Sequence, residues 1–266
     1  MPKILLKDIF VEIKHSMGRF ISITAIVALG VAFFAGIKAS APDMKYSADQ
    51  YFDQYNLQDI QVFSTIGLDD KDLKALSEVE GVEAVQPVYS IDTIVKKGNS
   101  ASVFRLFSLP EEQKINTLRV VEGRLPKSDD ECLIEADSIH NRMFSSLEIG
   151  ETITLNSGND SDLKDELTQT AFKVVGKGYT PNYLSYTIGT SSIGSGKVDN
   201  FIYVKDSVIK KDYFTEVDIL VSGAKEINTY TNSYLNIDPH IYDFLPIMHY
   251  IFKSFNYCWA WQCMQT

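Results

Sequence analysis

The sequence predicts an α+β protein: a single N-terminal transmembrane helix followed by a mixed α/β extracytoplasmic domain in two lobes. Three observations carry this. Residues 20–37, FISITAIVALGVAFFAGI, run without a charge between Arg19 and Lys38. Lys3, Lys7, Lys14 and Arg19 precede the run, whereas the chain as a whole has a net charge of −10. Beyond the run, short strand and helix patterns mix without regular βαβ alternation, which favours α+β over α/β.

Residues 1–19 form a cytoplasmic amphipathic leader. Leu5, Ile9, Ile13 and Met17 recur every four positions, with Lys3, Lys7, Asp8, Glu12 and Lys14 on the other side. Such a helix lies on the inner leaflet before the chain enters the membrane. The transmembrane helix occupies 20–41. At about 1.5 Å per residue the uncharged run spans roughly 27 Å, close to a hydrocarbon core. Its Phe, Ile, Leu and Val side chains favour insertion by about 3 to 6 kcal/mol. Basic residues near a span stay inside, so the N-terminus is cytoplasmic and the acidic remainder extracytoplasmic. A cleaved signal is the competing reading, with Ala39-Ser40-Ala41 as a small-x-small site. Pro42 after the cut, the long apolar run and the length of the leader favour an uncleaved anchor in the cell membrane. Within the span, Thr24, Ala28, Ala32, Gly36 and then Ser40 fall at intervals of four. They give one small face for close packing against another membrane helix.

The extracytoplasmic domain occupies 42–235. Residues 43–57 read as a polar stalk helix, and 59–64 as a strand. Asp69 caps a short helix through Ser77. Residues 82–95 read as one strand, Lys97-Gly98-Asn99 as a turn, and 101–109 as the returning strand. Short strands follow at 118–122, 132–135, 152–155 and 171–176, with a helix at 136–144. Residues 156–168 form a polar loop and 189–196 a Gly/Ser loop. Strands at 201–204 and 216–221 and a helix at 224–235 complete the domain.

Composition narrows the function. Apolar content of 45% builds a core, and the acidic balance argues against nucleic acid. Three cysteines are too few for a disulfide framework, and Cys132 in ECLIEA reads as a buried strand residue. SSIGSGKV at 191–198 fails the phosphate-loop pattern twice, with Ser191 for the first Gly and Val198 for the hydroxyl residue. Asp137 and His140 share a helix face but no third metal ligand is evident. No nucleophile elbow occurs. The sequence offers no catalytic, metal or cofactor-binding residue.

The stretch KDIFVEIKHSMGRFISITAIVALGVAFFAGI resembles the start of a MacB/FtsX-type ABC transporter permease. STIGLDDKDLKALSEVEGVEAVQPV resembles the opening strand–helix–strand of that family's extracytoplasmic core domain. LRVVEGRLPKSDDECLIEADSIHNRMFSSLEIGETITL carries the more distinctive likeness. In it Glu122, Gly123, Arg124 and Pro126 make a turn, Glu131 leads a strand, and Gly150 precedes Thr152-Ile153-Thr154. The departure is Glu151, where the family more often has Asp. From the residues alone, Gly123 supplies a positive φ, Pro126 stiffens the turn, and Arg124 forks onto a carboxylate or carbonyls. The resemblance covers about 3–235. It implies a cytoplasmic ATP-binding subunit that holds the ATP, a second permease copy or half, and contact with membrane lipid. It further implies that ATP hydrolysis on that separate subunit is coupled to export or to extracytoplasmic mechanotransmission. The tail at 236–266 is atypical, and is expected to be truncated or out of frame. The alternative is a singly anchored extracytoplasmic binding module without an ATPase partner.

Overall fold

The computed structural model describes residues 11, 14–98, 100–136, 147–158, 162–183 and 188–235. Most of the leader, the helix expected at 136–144 with Asp137 and His140, and the tail at 236–266 lie outside the described residues. The chain divides into two units, Met1–Gln50 and Tyr51–Thr266.

The first unit is the greater part of one helix, α1 (Met17–Gln54). The separate span and stalk helices expected from the sequence are one continuous helix. It runs through Pro42, whose ring nitrogen cannot donate to the Lys38 carbonyl. Its apolar stretch is long and apolar enough to cross a membrane, and among the described residues nothing buries that stretch. Ile23, Ile26, Leu29 and Phe33 are all exposed. An apolar helix with no protein partner is unstable in water and suits lipid.

The second unit holds two sheets. The small one contains β1 (Ile60–Leu68), β2 (Val82–Val88) and β10 (Phe214–Val221), antiparallel in the order β1-β10-β2. Helix α2 (Asp70–Ser77) covers one face. Asp69 caps it, accepting from the Lys71 and Asp72 amides, while the Asp72 carboxylate takes the Asp69 amide in return. Val217 and Ile219 of β10 pack with Val62, Leu68 and Leu76 on that side.

The large sheet contains β3 (Ser90–Lys97), β4 (Ser100–Leu109), β5 (Arg119–Gly123), β6 (Glu131–Glu135), β7 (Thr152–Asn156), β8 (Ala171–Tyr179) and β9 (Asn200–Lys205). Its order is β5-β8-β6-β9-β4-β3-β7, and β7 pairs back onto β8. Six strands therefore close into a barrel, with β5 attached to the far end of β8. Phe104, Leu106, Cys132, Ile134, Phe172, Val174, Ile202 and Val204 fill the interior. Outside it, Val103, Phe107, Leu133, Phe201 and Tyr203 form a second cluster that includes Val88 of the small sheet.

Three further expectations are corrected. Residues 82–95 form two strands in different sheets, because the chain leaves the small sheet at Tyr89. There the Tyr89 amide donates to Ser108 Oγ at 2.9 Å and its carbonyl accepts the Ser108 amide. The loop at 156–168 is not wholly polar: a 3-10 turn, Leu163–Asp165, drives Leu163 and Leu167 into the barrel core. The helix expected at 224–235 is a 3-10 turn, Ala224–Glu226, and a single helical turn, α3 (Asn232–Leu235). Asn228 and Thr231 divert the backbone between them. Asn228 Oδ1 accepts the Tyr230 amide at 3.0 Å, and Thr231 Oγ1 donates to the Asn228 carbonyl at 2.7 Å.

Candidate functional site

The turn block sits where β5 hands over to β6. Gly123 has φ +75°, and a Cβ there would lie 2.2 Å from the Val175 carbonyl oxygen. Arg124 follows, donating its amide to that carbonyl at 3.0 Å. Its guanidinium forks onto Glu131, with Nη1 2.6 Å from Oε2 and Nη2 bonded to Oε1. Glu131 Oε2 also accepts the Lys127 and Ser128 amides at 2.8 and 3.3 Å. The Arg124 fork and then these amides hold the Glu131 carboxyl down to about 2. Pro126 is buried within the loop. Glu122 faces Lys177 of β8 at 4.0 Å. Gly150, at φ +95°, donates to the Val174 carbonyl at 2.8 Å. Glu122, Gly123, Arg124 and Gly150 thus converge on β8, with the Arg124 fork engaged by Glu131. This geometry locks a corner of the barrel and leaves Arg124 no free fork for a ligand.

Thr24, Ala28, Ala32, Gly36 and Ser40 lie on α1. All are exposed, and an added Cβ at Gly36 meets nothing within 4 Å. Thr24, Ala28 and Ala32 line a shallow groove with Ile23, Val27 and Val31. Ser40 Oγ returns to the Ile37 carbonyl at 2.9 Å, which satisfies the hydroxyl without a partner helix.

A third place was not visible in the sequence. The end of α1 is fastened by two asparagines, Asn56 at φ +48° and Asn116 at φ +53°. The Asn116 amide donates to the Asn56 carbonyl and the Thr117 amide to the Tyr55 carbonyl, both at 2.8 Å. Asn56 Nδ2 donates to the Lys114 carbonyl, and Lys225 Nζ donates to Asn56 Oδ1. Asn116 Oδ1 accepts the Gln58 amide, while its Nδ2 donates to Asp218 Oδ2 at 2.7 Å. The helix end is therefore tied through Asn116 to β10. There Glu216 and Asp218 point away from α2 into the seam between the two sheets. Both are buried, and burial raises both carboxyls. The motif signal was thin. In FTEVDILV the carboxylates alternate with apolar residues, the pattern of a solvated strand face. Asn just past a helix is the one legible cue, since Asn tolerates left-handed backbone there.

Other candidates resolve into structure. Val198 and Ile193 of the 191–198 loop are buried on the outer barrel face, its Ser191 and Gly196 amides bond within the loop, and its Val198 amide donates to the Gly189 carbonyl. Cys132 is fully buried, which pushes its thiol up and makes it unreactive. Among the described residues no group of three His, Cys, Asp or Glu could hold a metal.

The chain thus joins one helix long and apolar enough to cross a membrane to an α+β domain of two sheets. The chain belongs to the family of MacB-like periplasmic core domains, whose model matches residues 20–234. Solved structures with similarity include the extracellular domain of the noncanonic ABC-type transporter YknZ from Gram-positive bacteria. It shows 12% identity, covers 62% of this chain and 79% of that one, and has a TM-score of 0.37. The periplasmic region of MacB from Actinobacillus actinomycetemcomitans shows 14% identity, 71% and 75% coverage, and a TM-score of 0.39. A domain of a permease protein from Porphyromonas gingivalis shows 14% identity, 61% and 64% coverage, and a TM-score of 0.32. No curated protein matches. At such TM-scores these likenesses add no weight, and the assignment rests on the family match.

Proposed function

We propose that this chain is the N-terminal part of a permease subunit of an FtsX-like ABC transporter. In this reading a separate cytoplasmic subunit hydrolyses ATP, and the chain relays the resulting motion to export or to extracytoplasmic mechanotransmission. The chain itself carries no cofactor and no catalysis. Residues 1–19 lie on the cytoplasmic leaflet, 20–41 cross the cell membrane, and 42–235 stand outside. A second permease copy packs on the small face of α1.

One observation carries the reading. Helix α1 is unbroken to Gln54, and the residues directly after it are bonded through Asn56 and Asn116 to β10. A helix fastened this way passes a push or twist into the domain, where a flexible linker would absorb it. The test is to purify the tagged chain from its native membranes. An ATP-binding subunit should accompany it, and nucleotide should alter hydrogen exchange at 114–118. A chain recovered without that subunit would instead be a singly anchored binding module.

A further inference from the structure

We propose that the seam between the small sheet and the barrel is a protonation latch. It holds while the Glu216/Asp218 pair carries a proton, and it loosens when both carboxyls ionise.

The placement comes first. Glu216 and Asp218 stand two apart on β10 and so share one face, opposite the Val217 and Ile219 that pack under α2. They are only 4% and 2% exposed. Two carboxylates side by side at that depth require either a cation or a proton. Among the described residues no lysine, arginine or histidine lies within ion-pairing distance of either. Arg105 of β4 attracts Glu216 but spends its own fork on Asp92 of β3, at 2.7 and 3.1 Å.

The remaining neighbours are neutral. From β1, Gln61 Nε2 reaches Glu216 Oε2 at 3.3 Å and also assists Asp218. From β2, Gln86 spends its amide on the Ile115 carbonyl and on the Lys114 and Ile115 amides. Ser90 assists Glu216, and Asn116 takes one oxygen of Asp218. From the barrel side come Tyr183, close to Arg105, and Tyr203, whose hydroxyl contacts Thr180. Burial raises both phenols, so neither supplies charge.

The second observation is a shortage of donors. Asp218 Oδ1 and Asn182 Oδ1 are buried acceptors with no hydrogen-bond partner. Both line one small cavity, together with Glu216, Gln86 and Tyr203. A proton on the pair removes one charge and adds a donor beside these two unpartnered acceptors.

Burial, then the charge of Asp218, pushes Glu216 up to about 8. Burial pushes Asp218 up to about 7, against the help of Asn116 and Gln61. In the opened seam both return to the ordinary carboxylate range of about 4. The pair's contribution to closure is therefore complete below about pH 4. It falls as pH rises, and is gone above about pH 8.

The test is hydrogen exchange on the full chain in lipid nanodiscs, at about pH 5.5 and 8.5, corrected for intrinsic rates. Protection at 113–118 and 214–221 should fall roughly tenfold or more at the higher pH, while β7 holds. Glu216→Gln and Asp218→Asn should remove that dependence. Equal protection at both pH values, or an equal loss in β7, overturns the latch. Should the variants fail to fold, infrared spectra of the unaltered chain decide. A buried protonated-carboxyl band at the lower pH that vanishes at the higher supports the latch, and its absence at the lower pH overturns it.

Discussion

Glu131 shows how one carboxylate closes a corner. It takes the Arg124 fork and two loop amides, and sits well below the ordinary carboxylate range. A depressed carboxyl stabilises the fold above its unfolded pKa of about 4.3, and the contribution fades as pH falls through about 2. Glu131→Gln should therefore lower the melting temperature at neutral pH, with the gap narrowing as pH drops below about 4. A gap of the same size at both ends of that range would show that the carboxylate's charge is not what holds the corner. The two turn glycines separate strain from collision. Gly123→Ala meets both a left-handed φ and the Val175 carbonyl, and should cost about 2 to 4 kcal/mol. Gly150→Ala meets only the φ, with nothing within 4 Å, and should cost about 1 to 2 kcal/mol. Denaturant unfolding of the two variants measures the difference. This corner was legible: a glycine for positive φ, a proline and an arginine seeking a carboxylate stand close together in the chain. The seam carboxylates were not, because a strand shows its alternation but not what lies over its polar face. Only the barrel, assembled from distant strands, buries Glu216 and Asp218.

At the scale of elements, α1 is the organising piece. Its apolar stretch and its small face were readable from spacing alone, since both repeat with the helical period. Its continuity through Pro42 was not, because proline in a sequence usually reads as a boundary. The fastening at its end was hidden for another reason. Asn56 and Asn116 are sixty positions apart, and nothing local pairs them. Asn116→Ala leaves the Gln58 amide and Asp218 Oδ2 without their partner, and should cost about 2 to 4 kcal/mol. Exchange at Asn56–Gln58 should rise along with it, and thermal unfolding with exchange reads both. On the small face, Ala32→Leu or Gly36→Leu should weaken crosslinking to a partner helix, since a bulky side chain holds the backbones apart. Unchanged crosslinking would place the contact on another face. Among strands, 131–135 and 152–156 were found nearly to the residue. The break at Tyr89 was missed because both halves alternate as one strand does.

Over the whole molecule, the α+β class, the apolar helix and most of the individual strands follow from patterns within short windows. The closed barrel does not. It depends on β7 returning to β8 and on parallel pairs such as β4 with β9, which only the assembled chain reveals. Function divides along the same line. The family was legible from the turn block and the opening strand–helix–strand, whereas the path from α1 through Asn116 to β10 came from the fold. Everything proposed depends on α1 lying across a membrane with the domain outside. The direct measurement places single cysteines at the exposed Thr65 and, separately, ahead of the helix at Ser16, with the natural cysteines replaced. Intact spheroplasts are then treated with a membrane-impermeant maleimide. The account expects rapid labelling at residue 65, and labelling at residue 16 only after permeabilisation. The reverse pattern, or equal labelling of both in protein released by a lipid-free wash, would contradict it.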